Sequence, residues 1–505
     1  MVYRLFSAID VGSDELEMKI YEISKDKGIR IIDDIRHTME LGKDTYVTGS
    51  VNLSHMDELE NVLLDFTKIM KEYNVNDYVA YTTSSIREAK NRHIILDRIR
   101  VKTGLNVCVL SNSEQRFLSY KAMSFKPDFF SFIEEGTLII DVGAGSIQVS
   151  LYENGFLSTT QNIKLGSLRI RELIYGLSTD KEHFNSLIEE LINNDLYTFK
   201  KMFIKDKKIK NIIAIGDYGE YFVKDEMNGE RIIGKDEFFS RYKKLMKKSP
   251  EELSKSFDIS LEQALRFIPA MEVYNRFLEE TKAEKIWFPM VDLCDGIAFD
   301  YAIKNKKIKL LHDFDEDILN HSRLIAKRYK GNQEHIAILE KNVVKIFDVM
   351  KKYHGLGKNE RKLLQIAAIL HDCGKYISIN SAGESSYNII MATEIIGLSH
   401  REREIVANVV KYNTMDIFEE MDAYKGRIND FMLVVKMVAI LKVANAMDRS
   451  HKQKFRDFKV NLKENKLYIT SYNSTDITLE KGLFNAKAKF FEDVYGIKPV
   501  LRQKK

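Results

Sequence analysis

Two stretches of the chain share one hydrophobic pattern. Residues 5–11 (LFSAIDV) and 138–142 (LIIDV) are apolar runs that carry an acid near their end, Asp10 and Asp141, and lead into a glycine turn. The segments LEMKIYEI and QVSLYENG follow. A short apolar run closed by glycine predicts a strand, and the alternation after the second (Val149 and Leu151 against Ser150 and Tyr152) predicts a half-buried antiparallel return strand. The copies stand about 130 positions apart, far beyond the roughly 20–50 of a solenoid repeat, so they predict a duplicated domain. From about Leu310 the period changes: IAILEKNVVKIFDVMKKY and NERKLLQIAAILHD place apolar residues at helical spacing. After Asp448 the pattern returns to a hairpin (KVNLKENKLYITSYNS), a helix (TLEKGLFNAKAKFFEDVYG) and a last strand. The fold class expected is α/β: two duplicated lobes over 1–127 and 128–307, an all-α domain over 308–455 and a small α+β tail over 456–505.

At 505 residues the chain exceeds one compact core. Its hydrophobic share of 44% and charged share of 30% are those of a water-soluble globular protein. A net charge of +4 argues against coating DNA while leaving room for a local basic groove that receives a polyanion. The three cysteines (Cys108, Cys294 and Cys373) are scattered and odd in number, which suits a reducing compartment. With no signal-like or membrane-length apolar run, a cytoplasmic protein without membrane contact is expected.

The turns carry the first candidate chemistry. Glycines let backbone N–H groups approach an anion, so Gly12-Ser13 and Gly143-Ala144-Gly145-Ser146 read as phosphate cradles. Asp10 and Asp141 would repel bare phosphate, and their sensible partner is a divalent cation carried with it, Mg²⁺ or Mn²⁺. Between the hairpins, a strand ending in Thr82, Thr83, Ser84 and Ser85 offers helix caps, and Arg87 in the first turn is a candidate anion ligand. In LSNSEQRF, Glu114 is either a capping carboxylate or a general base.

Taken together, Asp10-Val-Gly-Ser, TTSSIREAKN, TGLNVCVLSNSEQRFLSY and Asp141-Val-Gly-Ala-Gly-Ser resemble the Ppx/GppA phosphatases. KLGSLRIRELI, ALRFIPAMEVY, LCDGIAFDYA, AAILHDCGKYISI and LKVANAMDRSH extend the likeness over nearly the whole chain. The resemblance implies duplicated actin-like lobes of ribonuclease H-like type and release of terminal phosphate from inorganic polyphosphate or from guanosine pentaphosphate. It also implies a homodimer. By the same resemblance Glu114 matches the base that activates water, Asp141 with Asp10 would hold Mg²⁺, and Arg87 would bind phosphate. The departures cluster in the same region: Gln148 and Gln115 stand where glutamate is usual, Asp14 for asparagine, Glu17 for a basic residue, Asp217 and Glu220 for threonines, and Ala298 and Phe299 for an arginine and a glutamate. A glutamine keeps hydrogen bonds but takes no proton and neutralises no cation. The alternative reading is therefore a weakened or inactive member that binds polyphosphate or guanosine tetra- and pentaphosphate as a regulatory module.

The set His335, His371, Asp372 and Asp448 has the order and spacing of an HD domain, in which imidazoles and carboxylates from separate helices hold a divalent ion. Ser385 and Asn413 stand where further histidines are common, so one ion at most is expected.

Overall fold

The computed structural model describes residues 3–175, 181–216, 218–223, 232–417 and 427–504. Contacts divide the chain into two compact units, Met1–Asp313 and Phe314–Lys505.

The first unit holds two sheets with one plan. In the first lobe β1 (Arg4–Val11), β2 (Glu15–Ser24), β3 (Gly28–Thr38), β4 (Asp77–Thr82) and β5 (Val107–Val109) lie in the order β3-β2-β1-β4-β5. In the second, β6 (Thr137–Val142), β7 (Ile147–Glu153), β8 (Phe156–Ile163), β9 (Asn211–Ile215), β10 (Ile232–Gly234) and β11 (Lys285–Trp287) lie in the order β10-β11-β9-β6-β7-β8. Each sheet runs antiparallel through its hairpin and then parallel, β1 to β4 to β5 and β6 to β9 to β11. Asp10 faces Glu17 across the first hairpin and Asp141 faces Gln148 across the second. The duplication read from the sequence is therefore one of register as well as of pattern.

The half-buried hairpin expected at β7 is corrected. Ser150 and Tyr152 are as buried as Val149 and Leu151, because helices cover both faces, as is usual where a sheet includes parallel strands. Ser150 Oγ donates to Thr160 Oγ1 at 2.9 Å, and the Tyr152 ring packs edge-on to Tyr120 and Phe129. The helix Leu293–Lys304 follows the second sheet in the chain yet packs on the first: Leu293, Cys294, Ile297 and Ala298 join Phe6, Ala8, Tyr21 and Leu118 in one core. Ala298 belongs to this core, and the next residue, Phe299, stacks on Phe125 at 4.4 Å.

In the second unit, helices Gln333–Val349, Lys358–Leu370, His400–Tyr412 and Ile428–Ala446 pack together, and the apolar Ile428–Ala446 also meets the tail helix Thr478–Tyr495. The tail forms a sheet of β12 (Phe458–Lys463), β13 (Lys466–Ser471) and β14 (Lys498–Gln503). Glu464 and Asn465, with φ of 53° and 55°, make the left-handed two-residue turn that a right-twisted hairpin prefers. Buried Glu480 accepts from Ser450 Oγ at 2.6 Å and Lys454 Nζ at 2.8 Å, fastening the tail to the segment after the helices. Among the described residues, no helix is long and apolar enough to cross a membrane.

Candidate active site

The two hairpin turns face one cavity of about 100 Å³. Asp10, Gly12, Ser13, Thr83 and Ser84 line it from the first lobe, and Asp141, Gly143, Ala144, Gly145, Ser146 and Gln148 from the second. The turns have the same build: Gly12 N–H donates to Glu15 O at 3.0 Å and Gly143 N–H to Ser146 O at 3.1 Å. A Cβ on Gly12 would sit 2.5 Å from Glu15 O. On Gly145 it would sit 2.2 Å from the Tyr46 hydroxyl and 2.7 Å from Ser84 Oγ, so glycine is what allows the lobes to meet.

The hydroxyls expected as helix caps fasten the first turn instead. The helix Ser84–Glu88 begins after Thr83 without a side-chain cap. Ser13 Oγ lies 2.9 Å from Ser84 Oγ and 3.0 Å from the Tyr46 hydroxyl and accepts from Ser85 N–H at 3.2 Å, while Thr82 Oγ1 donates to Val11 O at 2.9 Å.

Three arginines of the second lobe, which sequence reasoning did not single out, tie it to the first lobe beside the turns without lining the cavity. Arg169 bonds Glu88 at 2.9 Å and Gly145 O at 3.1 Å and lies over the Tyr46 ring at 4.2 Å. Arg171 bonds Glu40 at 2.8 Å and Arg266 reaches Asp14 at 2.6 Å. All three lie in segments noted for the family resemblance, yet no local pattern marks them.

Burial pushes the Asp141 carboxyl up to about 6, with Arg116 opposing the shift. Gln148, beside it across the strands, is 3% exposed and its Oε1 has no hydrogen-bond partner among the described residues. A buried acid and an unanswered carbonyl oxygen at the edge of a glycine cradle are donors that fit a hydrated divalent cation. The acids of the first hairpin are answered by the chain's own cations. Lys19 Nζ makes a short bond to Asp292 and lies 3.3 Å from Glu17; Arg36 bonds Glu17 at 2.6 Å. Burial and then Asp292 push the Glu17 carboxyl up to about 9. Against burial, Asp292, Glu17 and Asp295 together hold the Lys19 ammonium above its ordinary value. Arg36 lines the cavity, as do Asp14, Glu15, Glu17, Gln115 and Asp292.

Two expected site residues are placed elsewhere. The Glu114 carboxylate accepts from Ser111 N–H at 3.0 Å and Ser111 Oγ at 2.7 Å, and Ser111 Oγ accepts from Glu114 N–H at 3.3 Å, a reciprocal cap. Gln115, one position on, is the residue of this helix turn that lines the cavity. Arg87 donates to Leu110 O at 2.7 Å and makes a short bond to Asn112 Oδ1, and it is not among the lining residues. It ties down the segment 110–112 that leads into the helix carrying Gln115. Asp217 and the Glu220 side chain lie outside the described residues.

In the second unit, atoms of His335, His371 and Asp372 lie within 4.8 Å of one another. Asp448 does not share that cluster: its Oδ2 lies 2.7 Å from His335 Nδ1 and its Oδ1 accepts from Gln453 N–H at 2.7 Å. His371 Nδ1 lies 2.8 Å from Ala368 O. With Nδ1 of each ring given to an acceptor, the Nε2 atoms are left as lone-pair donors. Those of His335 and His371 meet Asn445 Oδ1 at 3.2 Å and Asp372 Oδ2 at 3.3 Å.

Comparison with known proteins agrees with this fold. Against solved structures, the chain superposes on an exopolyphosphatase from Cytophaga hutchinsonii (18% identity, TM-score 0.53, 61% of this chain and 99% of that one). It superposes equally on a Ppx/GppA family member from Aquifex aeolicus (20% identity, TM-score 0.51, 62% and 100%). These likenesses establish the expected actin-like duplicated fold. Among curated proteins, the chain is 20% identical over 484 residues to the guanosine-5'-triphosphate,3'-diphosphate pyrophosphatase of Vibrio atlanticus, covering 92% of this chain and 91% of that one. It matches exopolyphosphatase 1 of Mycobacterium tuberculosis at 24% over 142 residues, 28% of this chain and 40% of that one. It spans 31% of the bifunctional 3-dehydroquinate synthase/phosphatase of Fusobacterium nucleatum, at 21% identity. The model of the Ppx/GppA phosphatase family matches residues 19–305 and that of its domain III residues 321–488. With more than half of its length under the first match alone, the chain belongs to the Ppx/GppA phosphatase family.

Proposed function

We propose that the cleft of the first unit is a metal-dependent phosphohydrolase site that releases terminal phosphate from inorganic polyphosphate or guanosine pentaphosphate. The observation that carries this reading is the pair of Asp-x-Gly turns, in matching register, around one cavity. Backbone N–H groups of Ser13 and of 144–146 receive the terminal phosphoryl oxygens, while those of Gly12 and Gly143 close the turns, and Arg36, the one arginine or lysine among the described lining residues, adds a guanidinium. Asp141 and Asp10 would hold Mg²⁺ or Mn²⁺, which when bound neutralises charge on the phosphoryl oxygens. Gln115 and Gln148 orient the attacking water by hydrogen bonding and take no proton, which makes hydrolysis slow.

The same two amides, together with Glu114 held as a cap, support the second reading, a cleft that binds the phosphoanhydride and turns it over poorly or not at all. Phosphate release from polyphosphate and guanosine pentaphosphate, measured in parallel with Mg²⁺ and Mn²⁺, decides between them. Release that falls about 10²–10³-fold in Asp141→Asn is expected; ligand-induced thermal stabilisation with no release from pure protein selects the binding module.

For the second unit, the two fixed tautomers and the neighbouring carboxylate support one divalent transition-metal ion on His335, His371 and Asp372, with Asp448 orienting His335. Metal content of the purified chain that falls by one equivalent in His371→Ala is the expected outcome; unchanged content ends that assignment.

A further inference from the structure

The second lobe carries a second cavity, of about 470 Å³, with no residue in common with the cleft. Its floor comes from the helix Lys181–Phe199 and its rim from the π-helical turn Lys200–Ile204 that follows. Wide turns of this kind often mark functional sites. Phe199 and Ile204, buried in the lobe's core, hold the turn in place.

The rim is cationic, with Lys200, Lys201, Lys205 and Arg276 against Glu280. Neighbouring lysines are answered: Lys207 by Glu153 at 2.7 Å and Lys210 by Glu135 at 3.3 Å. Lys200 bonds Glu280 at 2.5 Å, whereas Lys201 and Lys205 have no carboxylate partner among the described residues. Arg276 is held by Asn193 at 2.8 Å and Glu279 at 2.7 Å, and its buried Nε–H has no acceptor among those residues. Beside these cations, Tyr197 is 65% exposed, with the Lys201 ammonium 6.0 Å from its ring centre, while neighbouring Leu196 belongs to the buried core beneath.

An inorganic anion uses the cations and has no need of the ring. A ligand that answers both has a flat aromatic part joined to several negative charges. We infer that this cavity binds a nucleoside polyphosphate, its base on the Tyr197 ring and its phosphates on Lys201 and Lys205. Stacking of a base on an exposed ring and charge-assisted contacts to phosphate are each sufficient to be read in a binding constant.

The test is fluorescence titration of the full chain with mant-GTP in EDTA, which silences metal-dependent binding in the cleft. Saturable binding is expected, unchanged in Asp141→Asn and displaced by unlabelled GTP. In the double variant Lys201→Glu/Lys205→Glu the dissociation constant should rise about tenfold or more, and in Tyr197→Ala about tenfold, with Tyr197→Phe close to the unmodified chain. These side chains lie at the surface, so melting temperatures should hold and losses read as binding. Absence of saturation, or a double variant that binds as well as the unmodified chain, overturns the site. Tripolyphosphate or poly(U) RNA displacing mant-GTP as well as GTP does overturns the ligand class.

Discussion

The two hairpins of the first unit are the same piece of structure used with opposite charge economies. At matching register, Asp10 faces Glu17 and Asp141 faces Gln148. The first hairpin gathers further acids, Asp14, Glu15, Asp292 and Asp295, and answers them with Lys19, Arg36 and Arg266. The second has one buried acid and an amide, with Arg116 the cation that opposes its shift. A lysine is a cation that the chain carries permanently; an acid beside an unanswered amide oxygen calls for one from solution. On the proposed reading, structural ion pairing falls to the first hairpin and metal capture mainly to the second.

The largest break in that comparison comes from Lys19, whose side chain is 5% exposed. Lys19→Met leaves Glu17 and Asp292 without their central cation and should cost about 3–5 kcal/mol of stability, the usual penalty for removing one partner of a buried pair. Adding Glu17→Gln should recover part of it, measured as urea-unfolding midpoints. Next is Asp141→Asn, expected to lower phosphate release by about 10²–10³-fold, the scale of losing a preorganised electrostatic group. The same change should stabilise the metal-free protein at neutral pH. Folded Asp141 holds its proton up to about pH 6 against an ordinary value of 3.8, so the folded state is the one that binds the extra proton between them. Stability from this group is full below about pH 4 and lost as pH rises to about 6; Asp141→Asn should flatten that slope in melting temperature recorded in EDTA. A smaller effect is expected from Gln148→Glu, which makes the second hairpin resemble the first without its lysine. Mg²⁺ affinity should rise about tenfold by titration, because the new carboxylate has no cation of its own to answer it.

The hairpins were legible because period, glycine and terminal acid are all local. So were the helical region and the tail hairpin, whose Glu464-Asn465 turn sits between two alternating strands. What escaped is set by distance along the chain. That Arg36 stands opposite Glu17 depends on the register of a third strand, and that Arg266 reaches Asp14 depends on how two lobes close. Neither leaves a trace in spacing. The same holds for Asp448, whose place in the His-Asp series suggested a ligand while its contacts make it the partner of His335 Nδ1. The seryl hydroxyls were read as helix caps, and Arg87 as an anion ligand, from their place after a strand end; their partners, Leu110, Asn112, Ser13 and Gly12, come from a neighbouring strand end and a turn far away in sequence.

Glu114 gives the smallest expected effect. Ser111-x-x-Glu114 is itself the sequence signature of a reciprocal cap, and the structure shows both halves of it. A carboxylate bound by a backbone N–H and a hydroxyl is poorly placed to take a proton from water in the cavity, whereas Gln115 lines that cavity. Glu114→Ala should therefore cost about 1 kcal/mol of stability, the worth of a helix cap, and leave phosphate release per folded molecule within a factor of about two. Gln115→Glu should act in the opposite sense, leaving stability nearly unchanged and raising release by placing a proton acceptor where the amide now stands. Release abolished in Glu114→Ala while the melting temperature holds would return the base to Glu114. It would also require its side chain to leave the cap when substrate binds.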